Sequence, residues 1–302
     1  MRYTMSSSRV VLIRSRGIQP GLGKLDTAAI HSMFDRGFKL LTGQSNAQQA
    51  VFSIFRPGER IGIKINTLSG KEASTRPELA TGLAEWLVQG GLKPENIIIW
   101  DRMNRELRDA GYRLRTGRDG IRIFGTDSDG IGHDPELIGH LNIGSLFSSI
   151  LKNMVDASIS LAILKDHCIA GVTAGMKNYY GAVHNPNKYH DTGCNPYIAE
   201  LFDSPPVRSK HRLSVIDSLI VQYHRGPAYN PRWSEKFDGL IFSLDAVAAD
   251  RVGWKIIEKL RSAAGLPSLR DEGREPAYLH TAEKMGLGNA SDSKIELIEE
   301  TV

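Results

Sequence analysis

The sequence has only two cysteines and no long hydrophobic run. Two cysteines cannot build the disulfide framework typical of small secreted domains, which favours a reducing compartment for this 302-residue chain. No segment approaches the roughly 18 consecutive apolar residues of a membrane-spanning helix, and the apolar run at residues 10–13 is too short for a secretion signal. We therefore predict a cytoplasmic protein without a membrane partner.

The chain also has little net charge, since 38 Lys and Arg residues face 34 Asp and Glu residues, giving +4. Apart from a group of arginines between residues 102 and 118, the basic residues are dispersed, which is typical of a solvated surface rather than a nucleic-acid interface. We expect a small anionic molecule as the partner and no nucleic acid. The sequence does not indicate an oligomeric state.

Short β-branched runs alternate with helical patterns along the chain. Strands are predicted at residues 10–14, 60–66, 97–100, 158–165, 213–221 and 240–243, and helices at 26–41, 46–55, 77–90 and 245–260. Thr75 and Asp245 are the expected N-terminal caps of the last two helices. This alternation predicts an α/β fold with a mainly parallel sheet flanked by helices. We treat residues 1–302 as one module, with a possible lobe boundary near residues 204–212.

Groups suited to chemistry are concentrated between residues 167 and 194. The chain has nine histidines and two cysteines, and this segment holds three of the histidines and both cysteines. They are His167, Cys168, His184, His190 and Cys194. Imidazoles titrate near neutral pH and bind transition metals, so these side chains could provide metal ligands or proton-transfer groups. The spacing matches no structural zinc module.

A glycine-rich turn in the same segment leads to a single lysine, Lys177. Gly171 and Gly175 would let a ligand approach the backbone closely, and Thr173 and Asn178 would add polar contacts to a cofactor. The spacing is not that of a P-loop, which argues against hydrolysis of nucleoside triphosphates. Lys177 could act as a nucleophile or covalent anchor, or it could simply contact a phosphate.

Polar residues also follow the strand predicted at residues 60–66. Lys64 and Asn66 lie at its carboxyl end, and Thr75 and Arg76 lie at the start of the next helix, where backbone N–H groups favour an anion. The carboxyl ends of parallel strands meet at one edge of a sheet. We therefore expect these four residues to share a cofactor pocket with the glycine-rich segment, although a solvated Arg76 remains an alternative. Three acids, Asp217, Asp245 and Asp250, are expected to be mainly architectural.

Several short motifs carry a resemblance to a known family. They lie at residues 63–66, 74–79, 96–102, 165–167, 175–181 and 243–250. With them the chain resembles, over nearly its whole length, the family called domain of unknown function 362. Some relatives in that family carry ferredoxin-like cysteine motifs, but this chain has none, so the resemblance implies no iron–sulfur cluster.

The order of Thr-Arg-Pro, a histidine, a glycine-rich turn, a lysine and a further histidine is also similar to the nickel-pincer lactate racemases. That resemblance implies that Lys177 anchors a nickel-pincer nucleotide and that Arg76 contacts its phosphate. It also implies proton transfer by His167 and nickel ligation by His190 or His184. The chain departs from the racemase pattern at Asn104, where a histidine is expected, and at Ala174, which replaces a glycine.

These features together predict an enzyme, an oxidoreductase or isomerase, that performs redox or proton-transfer chemistry on a small organic acid. A bound transition metal or a phosphorylated or nucleotide cofactor is expected in its pocket. A non-catalytic carrier of metal or cofactor, and a protein that binds a small anion, remain the alternatives. The sequence does not identify the substrate.

Overall fold

A mixed sheet of nine strands organises residues 7–18 and 24–302, which the computed structural model describes. The strands of the chain are β1 Ser8–Arg14, β2 Ile61–Lys64, β3 Ile97–Asp101, β4 Arg122–Gly125, β5 Ile138–His140, β6 Ile143–Ser145, β7 Ala157–His167, β8 Gly171–Thr173, β9 His211–Gln222, β10 Ser234–Ser243 and β11 Ile295–Thr301. The main sheet has the order β11-β1-β10-β9-β7-β2-β3-β4 with β8 paired to β7, and β5 and β6 form a separate two-stranded sheet. Strands β4, β3, β2, β7 and β9 run parallel, so their carboxyl ends share one edge.

Helices cover both faces of the main sheet. They are α1 Thr27–Thr42, α2 Ala47–Ile54, α3 Pro77–Gln89, α4 Asn104–Asp109, α5 Tyr197–Asp203, α6 Pro205–Arg208, α7 Ala246–Ala263 and α8 Tyr278–Lys284. Alternate side chains of β3 point to opposite faces, so Ile97 and Ile99 pack with α1, α2 and α3, whereas Ile98 and Trp100 pack in the core formed by α5, α7 and α8. Burial on both faces explains why β3 is continuously apolar.

The predicted α/β class, a mainly parallel sheet flanked by helices, is confirmed. Strand β10 begins at Ser234, not at residue 240, because its polar first half is held by backbone pairing with β9. Strands β4, β8 and β11 were not predicted, since two are short and β11 buries little of its surface. Residues 204–212, the possible lobe boundary, form α6 and the start of β9. Residues 1–6 and 19–23 of the predicted single module lie outside the described ranges.

Two expectations about helix termini have different outcomes. Helix α3 begins at Pro77 as expected, but Thr75 does not cap it: its hydroxyl accepts the Asn66 N–H at 3.1 Å and donates to the Leu161 carbonyl at 3.1 Å. Thr75 is thereby drawn towards β7 instead of α3. Asp245 does cap α7, as expected. Within the described ranges, none of the helices combines the length and apolar character needed to cross a lipid bilayer.

Asp245 joins three distant parts of the chain. Its Oδ1 accepts the N–H groups of Val247 and Ala248 at 2.9 and 3.0 Å, while its Oδ2 accepts the Ser8 hydroxyl at 2.5 Å and the Asn289 N–H at 2.8 Å. The carboxylate therefore links β1, α7 and the segment before β11. By contrast, the exposed cap of α1, Asp26, accepts one N–H, from Ala29.

We predict that Asp245→Ala lowers the free energy of unfolding by about 2–4 kcal/mol, because it leaves several buried donors unsatisfied. The matched cap variant Asp26→Ala should lose only about 1 kcal/mol. Urea denaturation of both variants measures the difference. Equal losses would show that the buried links of Asp245 add nothing to its capping role.

Candidate active site

A cavity of about 360 Å³ lies at the carboxyl ends of three parallel strands. Lys64 ends β2, Asp101 ends β3 and His167 ends β7, and all three line the cavity. The segment after β8 completes the wall with residues from two consecutive 3₁₀ helices, Lys177–Ala182 and Pro186–Tyr189. Ligands of open α/β sheets bind at this edge.

Seven of the ten residues predicted for the site line this cavity, and three do not. Those in the lining are Lys64, Asn66, His167, Thr173, Lys177, Asn178 and His190. The expectation that Thr75, Arg76 and His184 share the pocket is wrong for this cavity. Thr75 is buried, and its hydroxyl is hydrogen-bonded to the Asn66 N–H and the Leu161 carbonyl.

Arg76 and His184 lie outside the lining of the cavity. The charge of Arg76 partly offsets the rise in the pKa of Asp217 that burial causes. His184 accepts the Leu146 N–H at its Nδ1, at 3.0 Å. Neither residue is therefore placed to serve the predicted cofactor or metal here.

Lys64 is held by a buried ion pair with Asp101, at 2.6 Å. Its ammonium also donates to the Ile65 carbonyl at 2.7 Å and to Asn178 Oδ1 at 3.3 Å, so all three N–H groups have acceptors. Asp101 in turn accepts the N–H and hydroxyl of Thr67 at 2.7 and 2.8 Å. Lys64 thus has no donor free for the cofactor that we expected it to bind, and the pair instead fixes the ends of β2 and β3.

Lys165 and Lys177 are buried at the cavity without a counter-charge. They are 2% and 7% exposed, and neither has a carboxylate at ion-pairing distance among the described residues. Lys165 donates to Ser69 Oγ at 2.7 Å and to the Ala73 carbonyl at 3.1 Å. The pKa of both amines is lowered to about 8, mainly by burial, and for Lys165 the charge of Lys177 contributes to this decrease. Lys165 is not among the site residues predicted from the sequence, although a lysine that ends an apolar strand is a usable signal.

The Lys177 amine lies 3.2 Å from His190 Nε2 and 4.2 Å from the centre of the Tyr180 ring. His190 Nδ1 is 3.1 Å from the Pro186 carbonyl, which can only accept, so Nδ1 carries the hydrogen and Nε2 presents a lone pair to Lys177. Burial lowers the pKa of His190, and Lys177 adds to the effect. His190 is therefore a neutral proton acceptor at pH 7.

His167 lies against His190, with their ring centres 5.6 Å apart and their planes nearly parallel. Its Nδ1 accepts the N–H groups of Ile169 and Ala170, both at 3.2 Å, which places the hydrogen of the neutral ring on Nε2. Burial lowers the pKa of His167 to about 2, with Lys177 as the next contribution. The site thus combines one neutral imidazole that accepts a proton with one that donates a hydrogen bond.

Two buried polar atoms of the cavity residues have no hydrogen-bond partner. They are the hydroxyl of Thr173 and the side-chain oxygen of Asn66. An unsatisfied buried polar group costs about 1–3 kcal/mol, so natural proteins rarely keep one without a reason. A bound molecule with suitable polar groups would satisfy both atoms.

Asp250 positions the turn that leads to Lys177. From α7 its carboxylate accepts the N–H of Gly175 at 2.7 Å, the N–H of Met176 at 3.2 Å and the hydroxyl of Tyr278 at 3.1 Å. A Cβ atom at Gly175 would lie only 3.0 Å from Asp250 Oδ1 and 2.9 Å from Ser214 Oγ. Asp250, expected to be mainly architectural, therefore positions a turn next to the site, and a side chain at Gly175 would force Ser214 or Asp250 to shift.

The cavity does not fit a metal held by protein side chains. In the described part of the chain, no three His, Cys, Asp or Glu residues are grouped as a metal site requires. His190 Nε2 is engaged by Lys177, and His184 lies elsewhere. The structure does not bring His184 to His190 in this cavity, so it gives no support to the prediction that they bind a metal, and we derive no reaction step through nickel.

We predict stability effects of different size for the two kinds of buried lysine. Lys64→Met should lower the free energy of unfolding by about 3–5 kcal/mol, since it leaves Asp101 without its counter-charge. Lys165→Met should change it by no more than about 1 kcal/mol, because the lost hydrogen bonds are offset by removal of an unpaired buried charge. Chemical denaturation of the two variants checks this. A large loss for Lys165→Met would mean that Lys165 is needed for folding rather than for a ligand.

Comparisons with known proteins give a family but no activity. The family model described as "Domain of unknown function (DUF362)" matches residues 61–255, while no curated protein matches the chain. A crystal structure of a protein from Thermotoga maritima is similar at 11% identity and a TM-score of 0.45, covering 79% of this chain and 59% of that one. The chain thus spans less than two thirds of that protein's length, and these matches give no support to the lactate racemase resemblance. Because the family model spans more than half of the sequence, the chain belongs to the DUF362 family.

Proposed function

We propose that this protein is an enzyme that binds a small organic acid in the cavity and moves a proton on it. The observation that carries the proposal is the pair of buried lysines, Lys165 and Lys177, that face the cavity without a carboxylate partner. A buried charge without a partner is costly, and natural proteins seldom keep one unless it binds something. An anionic ligand would supply the missing counter-charge.

The balance of the other charges in the cavity lining supports binding of an anionic ligand. Lys64 is matched by Asp101, and Arg102 is matched by Glu106 at 3.2 Å, which leaves the two unpaired lysines as the surplus. The free hydroxyl of Thr173 adds a donor beside them. A volume near 360 Å³ is at the small end of the range for ligand sites, which favours a small molecule.

Proton transfer is the chemistry that the side chains themselves can supply. His190 presents a lone pair, the Lys177 amine has a pKa of about 8, and His167 offers an N–H, so a base and two donors lie together. A general acid or base works best when its pKa lies near the working pH. The cations would stabilise negative charge that develops on an acid when a neighbouring proton leaves.

A phosphorylated or nucleotide cofactor would contact the same two lysines, Lys165 and Lys177, through its phosphate groups. The described residues include no group of three metal-ligating side chains, and proton transfer is the chemistry that the cavity side chains supply themselves, so we propose isomerase-type proton transfer before redox chemistry. The two free thiols also favour the cytoplasm as the location that we propose.

We expect calorimetric titration with a panel of small carboxylates and phosphates to detect binding by the wild type. Lys165→Met and Thr173→Val should weaken that binding about 10- to 100-fold, the effect of losing a charged or buried hydrogen bond. Arg76→Ala, outside the cavity, is the matched control and should bind as the wild type does. Unchanged affinity in both cavity variants would remove the anion site.

We also expect catalysis to be visible without any added cofactor. In deuterium oxide, an acid that binds should exchange the hydrogen next to its carboxylate or carbonyl group, and Lys177→Met should abolish this exchange because it removes the amine beside His190. Proton NMR follows the loss of the signal. Tight binding with no exchange of any acid would favour the alternative of a non-catalytic carrier or anion-binding protein.

A further inference from the structure

The surroundings of Lys177 suit covalent chemistry as well as proton transfer. Resting on the proposed function, we propose that the Lys177 amine forms an imine with the carbonyl group of a 2-oxo acid, which makes 2-oxo acids the substrate class of this cavity. Two features of the structure carry the proposal. One is the proton acceptor beside the amine, and the other is the second cation in the same cavity.

The first feature makes Lys177 a nucleophile. An ammonium ion cannot attack a carbonyl carbon until it loses a proton, and His190 Nε2 lies 3.2 Å away with its lone pair towards Lys177. The Tyr180 ring, 4.2 Å from the amine, shields it from water on one side. Burial, which lowers the pKa of the amine to about 8, increases the neutral fraction near physiological pH.

The second feature selects the substrate. With Lys177 attached to the carbonyl carbon as an iminium ion, Lys165 would still be a second unpaired cation in the lining, together with the free hydroxyl of Thr173. A carboxylate directly next to the carbonyl group is the smallest group that meets this need. A simple aldehyde or ketone carries no such charge and would leave Lys165 buried without a partner.

The reaction balances without an oxidant or reductant. His190 takes a proton from the Lys177 ammonium, and the free amine forms a nitrogen–carbon bond as the carbonyl π electrons move to oxygen. The oxygen takes one proton from the nitrogen and one from His190, and it leaves as water while the carbon–nitrogen double bond forms. Overall, an ammonium ion and a carbonyl group give an iminium ion and one water molecule.

The test is reductive trapping of the wild-type protein with pyruvate and sodium cyanoborohydride, followed by intact mass and peptide mapping. We expect one reduced adduct per chain, located at Lys177, and none in Lys177→Arg, because the guanidinium group stays protonated. Lys188→Arg, which changes an exposed lysine of the next 3₁₀ helix, should be trapped as well as the wild type. The initial trapping rate should rise with pH about a midpoint near 8, since the neutral amine reacts.

Further measurements distinguish failure of imine formation from failure of the proposed anion site. Acetaldehyde, which lacks the carboxylate, should be trapped at Lys177 at least about 10-fold less than pyruvate, and Lys165→Met should reduce trapping of pyruvate by a similar factor. Calorimetric binding of pyruvate without an adduct at Lys177 would overturn the imine and leave the anion site intact. Failure of every acid to bind would overturn both. Equal adduct formation in the wild type and Lys177→Arg would show random labelling and also overturn the imine.

Discussion

Three buried carboxylates around the cavity are committed to partners other than its lysines, and this constraint governs the site. Asp101 is paired with Lys64, Asp166 with Arg274 at 2.8 Å, and Asp250 with backbone N–H groups. Each of these contacts also shapes the fold, since they join β2 to β3, the end of β7 to the segment before α8, and α7 to the turn before Lys177. The same interactions that hold the strand ends in place therefore leave Lys165 and Lys177 without these carboxylates as ion-pair partners. We propose that a bound anion supplies the counter-charge.

Topology explains why residues far apart in sequence meet there. Parallel pairing of β3, β2 and β7 brings the ends of these strands to one edge, and β8 turns the chain back so that the segment around Lys177 lies over it. The edge is closed by a loop that approaches very tightly: a Cβ atom at Gly226 would lie 1.9 Å from the Asp166 carbonyl oxygen, so only glycine allows Pro227 to reach the cavity.

Sequence patterns predicted the sheet and much of the cavity for identifiable reasons. The apolar runs at residues 97–100 and 158–165 marked buried strands, and the rule that ligands bind at strand ends brought Lys64, His167 and Lys177 together. The same rule misplaced Arg76, because nearness to a strand end does not fix the direction of a side chain, and closeness in sequence to His167 and His190 misplaced His184. The pairing of Asp101 and the support from Asp250 could not be predicted, since they depend on contacts between residues 37 and 75 positions apart. Whether a buried lysine is paired is a property of the folded chain alone.

Binding of an anion by the two unpaired amines should be coupled to proton uptake. Burial holds the pKa of Lys165 and Lys177 near 8, so each is only partly protonated at that pH, and a bound anion would raise both values. Calorimetric titration of a small carboxylate in two buffers of different ionisation enthalpy measures the protons exchanged. We expect uptake of protons on binding at about pH 8 and much less at about pH 6, where both amines are already charged. Binding at about pH 8 with no uptake, or with release of protons, would show that these amines do not receive the anion.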